Sequence, residues 1–243
     1  MTNENENSKS AEEVTATIKK LEAEAASHKA EARKTTAEAK EAEIKAKEAE
    51  LRFLRVERDH KIKWAEDIEN HLYRFSGTVS SDSVSECIKK LTHWSRIDEG
   101  CDIEIIFSSP GGSIIPGFEL FDFIQTLRSN GHHITTGSLG YAASMAGILL
   151  QAGDSRWIGH QSWMMIHRAA FGAYGKTFEI EDEVKFIQRI EERIVNIFTS
   201  RCTLSKQKIK RNWNRKDWWI SADECLELEL VDEIKGKMPE FEE

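Results

Sequence analysis

Glycine and proline are missing from residues 1–70 of this 243-residue chain, and all 14 glycines and 3 prolines lie beyond them. That stretch therefore holds no residue that forces a turn. Long hydrophobic runs are missing too. Nothing approaches the roughly 18 consecutive apolar residues of a membrane helix, and the opening MTNENENSKS has no apolar signal core. Positive charge is in deficit, with a net charge of -8. This argues against binding to a nucleic-acid backbone, which needs a basic surface. Cysteine is scarce: Cys87, Cys101, Cys202 and Cys225 are scattered, with no CxxC pair. They read as reduced thiols of a cytoplasmic protein, with no zinc site, and no cofactor is implied.

The chain divides at the composition boundary into a segment 1–70 and a domain 71–243. Ala, Glu, Lys and Arg dominate the first part. These are strong helix formers, so one charged helix is expected from about Glu12 to Asn70, after a polar, disordered start. Large apolar residues are sparse there. Val14, Ile18 and Leu21 are followed by alanines alone until Ile44, and Leu51, Phe53, Leu54 and Val56 follow. A coiled-coil seam built this way is a weak one, because such seams rest on sustained core hydrophobes.

From His71 onward short strands alternate with helices. Strands are expected at Tyr73–Phe75, Asp102–Phe107, His133–Leu139, Arg156–Ile158, Trp163–Ile166 and Leu230–Ile234. Helices are expected at Ser81–Trp94, Pro116–Arg128, Ser144–Gln151, Phe178–Arg201 and Ala222–Leu228. This alternation is the mark of α/β packing on parallel strands. At 40% hydrophobic residues the chain can bury a core.

Two glycine-containing turns follow strands, Pro110-Gly111-Gly112 and Leu139-Gly140, and neither is a phosphate loop. A Gly-Gly turn meets a need for positive φ. It also leaves backbone N–H groups free to face a developing oxyanion. Ser144, in the run GYAASMAG, reads locally as a helix N-cap. The other reading is a nucleophile whose oxyanion would form beside the Met145 N–H, with Ala142, Ala143 and Ala146 leaving room for a substrate backbone. A serine nucleophile needs a base and the base an orienting acid. His167, at the end of an apolar strand, suits the first role or that of an edge residue. Asp217, before Trp218-Trp219, suits the second or that of a surface ion-pair partner.

Four motifs in order turn this into a resemblance. Ser109-Pro110-Gly111-Gly112, Gly140-Tyr141-Ala142-Ala143-Ser144-Met145, Met165-Ile166-His167 and Asp217-Trp218-Trp219-Ile220-Ser221-Ala222 resemble the SPGG, GxAASM, MIH and acid-bearing segments of the Clp protease proteolytic subunit family. The resemblance spans about Tyr73 to Ile234. It implies a crotonase-like α/β fold of stacked βαβ units with a handle helix, here preceded by the charged extension. It also implies a serine endopeptidase with Ser144 as nucleophile, His167 as base, Asp217 as orienting acid, and the Gly112 and Met145 N–H groups as the oxyanion hole. Extended substrate would pair beside Ser113 and Ile114 and along Ala169, Ala170 and Phe171. The family acts on peptides and unfolded proteins as homo-oligomeric heptameric rings, single or double, with an ATP-driven unfoldase as usual partner.

Some positions depart from the pattern. The charged segment replaces a short axial loop, which speaks against the usual unfoldase docking. Tyr141 stands where glutamine is usual, Arg168-Ala169-Ala170-Phe171-Gly172 replaces a QPxGG run, and Glu229 replaces the glycine of a GLVD segment. The extension fits a phage-type relative, such as a capsid-maturation protease, or a non-enzymatic scaffold, in which the helix directs assembly. A crotonase-like acyl-CoA enzyme is the remaining alternative.

Overall fold

The computed structural model describes residues 11–214 and 216–236. The expected polar start, residues 1–10, lies outside them. The chain divides into two compact units after Trp64. In the first, helix α1 (Ala11–Trp64) is continuous and exposed along its described length. Its surface carries i,i+4 ion pairs such as Lys45–Glu41 and Lys47–Glu43, each contributing a few tenths of a kcal/mol, about 0.3–0.5. The helix stops at Trp64 rather than Asn70. Residues 65–71 form turns instead, with the Leu72 N–H on Asp67 O and the Arg74 guanidinium on the Asp67 carboxylate.

The second unit is built on one seven-stranded sheet: β1 (Leu72–Ser76), β2 (Ile103–Ser109), β3 (Ile134–Ala143), β4 (Ser155–Gly159), β5 (Trp163–Ile166), β6 (Trp218–Ser221) and β7 (Glu233–Lys235). The main path runs β1-β2-β3-β4-β7 with parallel pairing, and β5 also lies parallel to β3. Helices α2 (Ser81–Ile97), α3 (Ile114–Ser129), α4 (Met145–Leu149), α5 (Thr177–Thr199), α6 (Lys206–Asn212) and α7 (Ala222–Glu227) alternate with the strands. The result is the mixed α/β architecture expected for the crotonase-like fold. Apolar strands such as β2 are buried because parallel strands are covered on both faces; Ile105, Phe107 and Ile134 are fully enclosed. Helices α2 and α5 bring their apolar stripes, Val84 to Trp94 and Ile187 to Phe198, into the same core. Among the described residues no helix is long and apolar enough to cross a membrane.

Two expectations need correction, and one element is added. The Leu139-Gly140 turn is part of β3, which runs on to Ala143; a register shift in β2 between Phe107 and Ser109 absorbs the mismatch. The segment from Trp218 is a strand, β6, pairing antiparallel with β5. The last strand begins at Glu233 because Leu230 and Val231, though buried, end helix α7. Leu230 N–H meets Cys225 O and Glu229 N–H meets Leu226 O, a Schellman closure that puts Glu229 at φ 56°.

Candidate active site

Sheet register brings the chemistry-bearing residues together. β3 and β5 are parallel with Ala143 opposite Met165, and the Ser144 N–H donates to Met165 O at 2.8 Å. Ser144 therefore leaves the sheet beside the end of β5, and His167 is the first residue past β5. In the antiparallel β5–β6 pair, Ile166 faces Trp218. The next cross-strand neighbours are His167 and Asp217.

Ser144 sits at φ 53°, ψ -120°, at the N-cap position of α4, and its side chain makes no capping bond. The N-cap reading thus holds for the position and fails for the hydroxyl. That hydroxyl is 2.7 Å from His167 Nε2. A non-glycine residue in this region costs roughly 1–3 kcal/mol and persists only where its surroundings enforce it. Part of the enforcement is the approach of Gly111, at φ 86°. A Cβ there would stand 2.5 Å from Ala143 O and 2.7 Å from Ser144 Cβ. The turn has the strained geometry of a nucleophile elbow although the GxSxG signature is absent.

His167 Nδ1 lies 3.9 Å from Asp217 Oδ1, and the Asp217 side chain is 59% exposed. That separation is an ionic contact, beyond hydrogen-bond reach. The Ser–His link is therefore closed and the His–Asp link open.

The Gly-Gly turn is stitched to the residues after β1. Val79 N–H donates to Gly111 O and Ser113 N–H to Val79 O, both at 2.8 Å, while Gly111 N–H is taken by Ser109 Oγ. The Gly112 and Met145 N–H groups donate to nothing among the described residues. Gly117 accommodates the Met145 side chain, which a Cβ there would meet at 2.3 Å.

A cleft of about 270 Å³ opens at this point, lined by Gly112, Ile114, Ser144, Met145 and His167, with Ile148, Ile194 and Phe198 supplying apolar walls. Ile194 and Phe198 come from α5. The sequence marks them as its apolar face and carries no sign that they reach the serine. Ala142, Ala143 and Ala146 do not face this space. They are buried, so their smallness serves the packing of α4 against the sheet.

The expected substrate-pairing residues divide into two groups. Ser113 caps α3 and Ile114 opens it, so that side offers a helix start and no extended edge. Ala169, Ala170 and Phe171 lie outside any helix or strand, and their backbone makes no hydrogen bond among the described residues. Arg168 anchors this segment. Its guanidinium makes two 2.9 Å bonds to Glu191 of α5, and those bonds hold it above its ordinary pKa. The sequence flags Arg168 as a departure but gives no hint of its partner, 23 residues away.

One group elsewhere carries metal-ligand chemistry. His71, Asp98 and Cys101 bring one donor atom each within 4.8 Å of one another, and His132 Nδ1 is 3.6 Å from the Cys101 sulfur. None of these lines the serine cleft.

Comparison with known proteins points to a family. The model of the Clp protease family matches residues 61–238. ATP-dependent Clp protease proteolytic subunits from Bacteroides fragilis and Porphyromonas gingivalis are each 32% identical, over 163 and 166 residues. The alignments cover 66% and 67% of this chain and 77% and 73% of those proteins. A sheet that gathers serine, histidine and aspartate at the ends of three strands, and a family match over most of its length, lead to one conclusion: the chain belongs to the Clp protease family.

Proposed function

We propose that the chain is a serine endopeptidase that cleaves unfolded protein or peptide through Ser144, His167 and Asp217. The observation that carries this reading is the 2.7 Å contact between His167 Nε2 and the hydroxyl of a strained serine. In the neutral ring with its proton on Nδ1, Nε2 accepts the Ser144 proton as Oγ attacks the carbonyl carbon. The Gly112 and Met145 N–H groups receive the oxyanion. His167 returns the proton to the leaving amine, and water then hydrolyses the acyl-enzyme by the same route. Asp217 stabilises the imidazolium across its present gap, and more strongly when the gap closes. The apolar cleft takes the side chain before the scissile bond, and the unpaired Ala169–Phe171 backbone pairs with extended substrate. Ring assembly through the α5 region encloses the site, in keeping with the exposed Phe178 and Phe186 on that helix. An acyl-CoA enzyme would have no use for a serine bonded to a histidine.

Replacing Ser144 by Ala is expected to abolish peptide cleavage and fluorophosphonate labelling with the oligomer mass unchanged. Label persisting on another serine would overturn the assignment.

A further inference from the structure

Helix α1 exposes its apolar side chains, among them Ile18 at 51%, Leu21 at 58%, Phe53 at 68% and Val56 at 51%. Their spacing is regular. Ile18, Ala25, Ala32, Ala39, Ala46 and Phe53 repeat every seven residues. A second seven-residue series begins with Val14, Leu21, His28 and Thr35 and continues with Ala42, Ala49 and Val56. The two series interleave by three and four residues, as the a and d positions of a coiled coil do. Nearly half of the residues between Glu13 and Glu57 are charged as Lys, Arg or Glu, and none of those falls on either series. A second charge-free line, Ala16, Ala23, Ala30, Ala37, Ile44 and Leu51, runs on the far face, but it is a single series, whereas the interleaved pair makes a stripe two positions wide over six heptads.

We propose that this stripe is a pairing seam and that its occupant is α1 of a second copy of the chain, parallel and in register. Ile18 at a and Leu21 at d are the combination that favours two parallel strands. The alanine layers between let the backbones approach closely, and the larger layers lie at both ends. Flanking charges favour the parallel sense by a small margin. In a parallel pair, Glu24 faces Lys29, Lys45 faces Glu50 and Arg52 faces Glu57 across the seam, against one repulsion, Glu38 with Glu43. An antiparallel pair with the large layers matched also makes three attractions, Glu24 with Arg52, Lys29 with Glu43 and Glu31 with Lys45, but sets Glu38 against itself and Glu22 against Glu50. The alanine seam is a weak one for free chains. Assembly of the peptidase units, as proposed above, holds the helices at a millimolar-order effective concentration, where a weak seam suffices.

The test uses the full chain with Cys101→Ser and Cys202→Ser as background. Ala25→Cys, on the seam, is compared under mild oxidation with Ala30→Cys, on the far face, and oligomer mass is measured alongside. The expected result is near-complete disulfide dimers for Ala25→Cys and at least tenfold less for Ala30→Cys, with Ala39→Glu introduced on the seam abolishing the difference. Equal cross-linking at the two positions in an assembled protein would overturn the seam and leave the peptidase assembly standing. Efficient linking of Ala25→Cys only to Ala49→Cys in a mixed sample would overturn the parallel sense. A protein that never assembles counts against the ring, and cross-linking at Ala25→Cys in that protein still supports the seam.

Discussion

Glu229 is the residue that follows helix α7 in a left-handed conformation, φ 56°, at the position a Schellman closure reserves for glycine. Replacing it with glycine should stabilise the peptidase unit. Holding an L-residue left-handed costs roughly 1–2 kcal/mol. Glycine removes that cost but adds about 0.5–1 kcal/mol of unfolded-chain entropy. The net gain is about 0.5–1 kcal/mol, a rise in Tm of about 2 °C for a unit of this size. Both bonds of the closure are backbone bonds, Glu229 N–H to Leu226 O and Leu230 N–H to Cys225 O, so the substitution removes neither. Glu229→Ala keeps the left-handed cost while losing the carboxylate, and it separates geometry from charge. Calorimetry at low and high salt should rank glycine above wild type and alanine at or below it, with peptidase activity equal in all three. If Glu229→Gly and Glu229→Ala melt together, the conformational argument is wrong and the effect is electrostatic.

Three other outcomes follow from the geometry. His167→Ala should cost kcat about two decades more than Asp217→Asn, because the base touches the serine and the acid stands 3.9 Å away; equal losses in kcat/KM would mean that the acid is fully engaged in solution. Gly111→Ala, whose Cβ would meet Ala143 O at 2.5 Å, should abolish fluorophosphonate labelling even where circular dichroism reports a folded sheet, and normal labelling would refute the packing role. Acid should destabilise the fold through Asp154 and Asp232. Burial alone would raise both carboxyls, but hydrogen bonds from the Ile134 N–H and Arg128 to Asp154, and from Arg156 to Asp232, outweigh it and hold both below the ordinary value. A lowered folded pKa stabilises above the unfolded value, about 3.9, and that stability is lost as pH falls through the folded one. Allowing for solvent screening of a half-exposed carboxylate, each contributes about 1 kcal/mol at neutral pH. Asp232→Asn should therefore flatten the acid limb of Tm against pH, and an unchanged limb would show that Arg156 does not depend on it.

The sequence was most informative where one local rule decides. The buried run before Ser109 reads as β2, and the 3.6-residue stripe from Ile187 to Phe198 reads as α5. It was least informative where pairing decides. β6 is four residues long, follows a basic segment, and exists because β5 offers an edge to Trp218–Ser221. Helix α6 buries only Ile209, so it shows no stripe. No breaker precedes Gly77 to mark the stop of α1 at Trp64. Motif spacing made Ser144, His167 and Asp217 legible as a set. The distances that distinguish a closed Ser–His link from an open His–Asp link depend on register, which spacing does not record.

β6 joins the sheet through β5 alone. Ser144 and His167 directly follow strands stitched into the body of the sheet, β3 and β5, whereas Asp217 precedes a strand secured by one neighbour. The proposed nucleophile and base are thus built in, and the proposed acid is attached. Ile220 in the core and Ser221 at the cap of α7 hold the strand itself, so it is the exposed Asp217 side chain ahead of it that moves up to the ring or away.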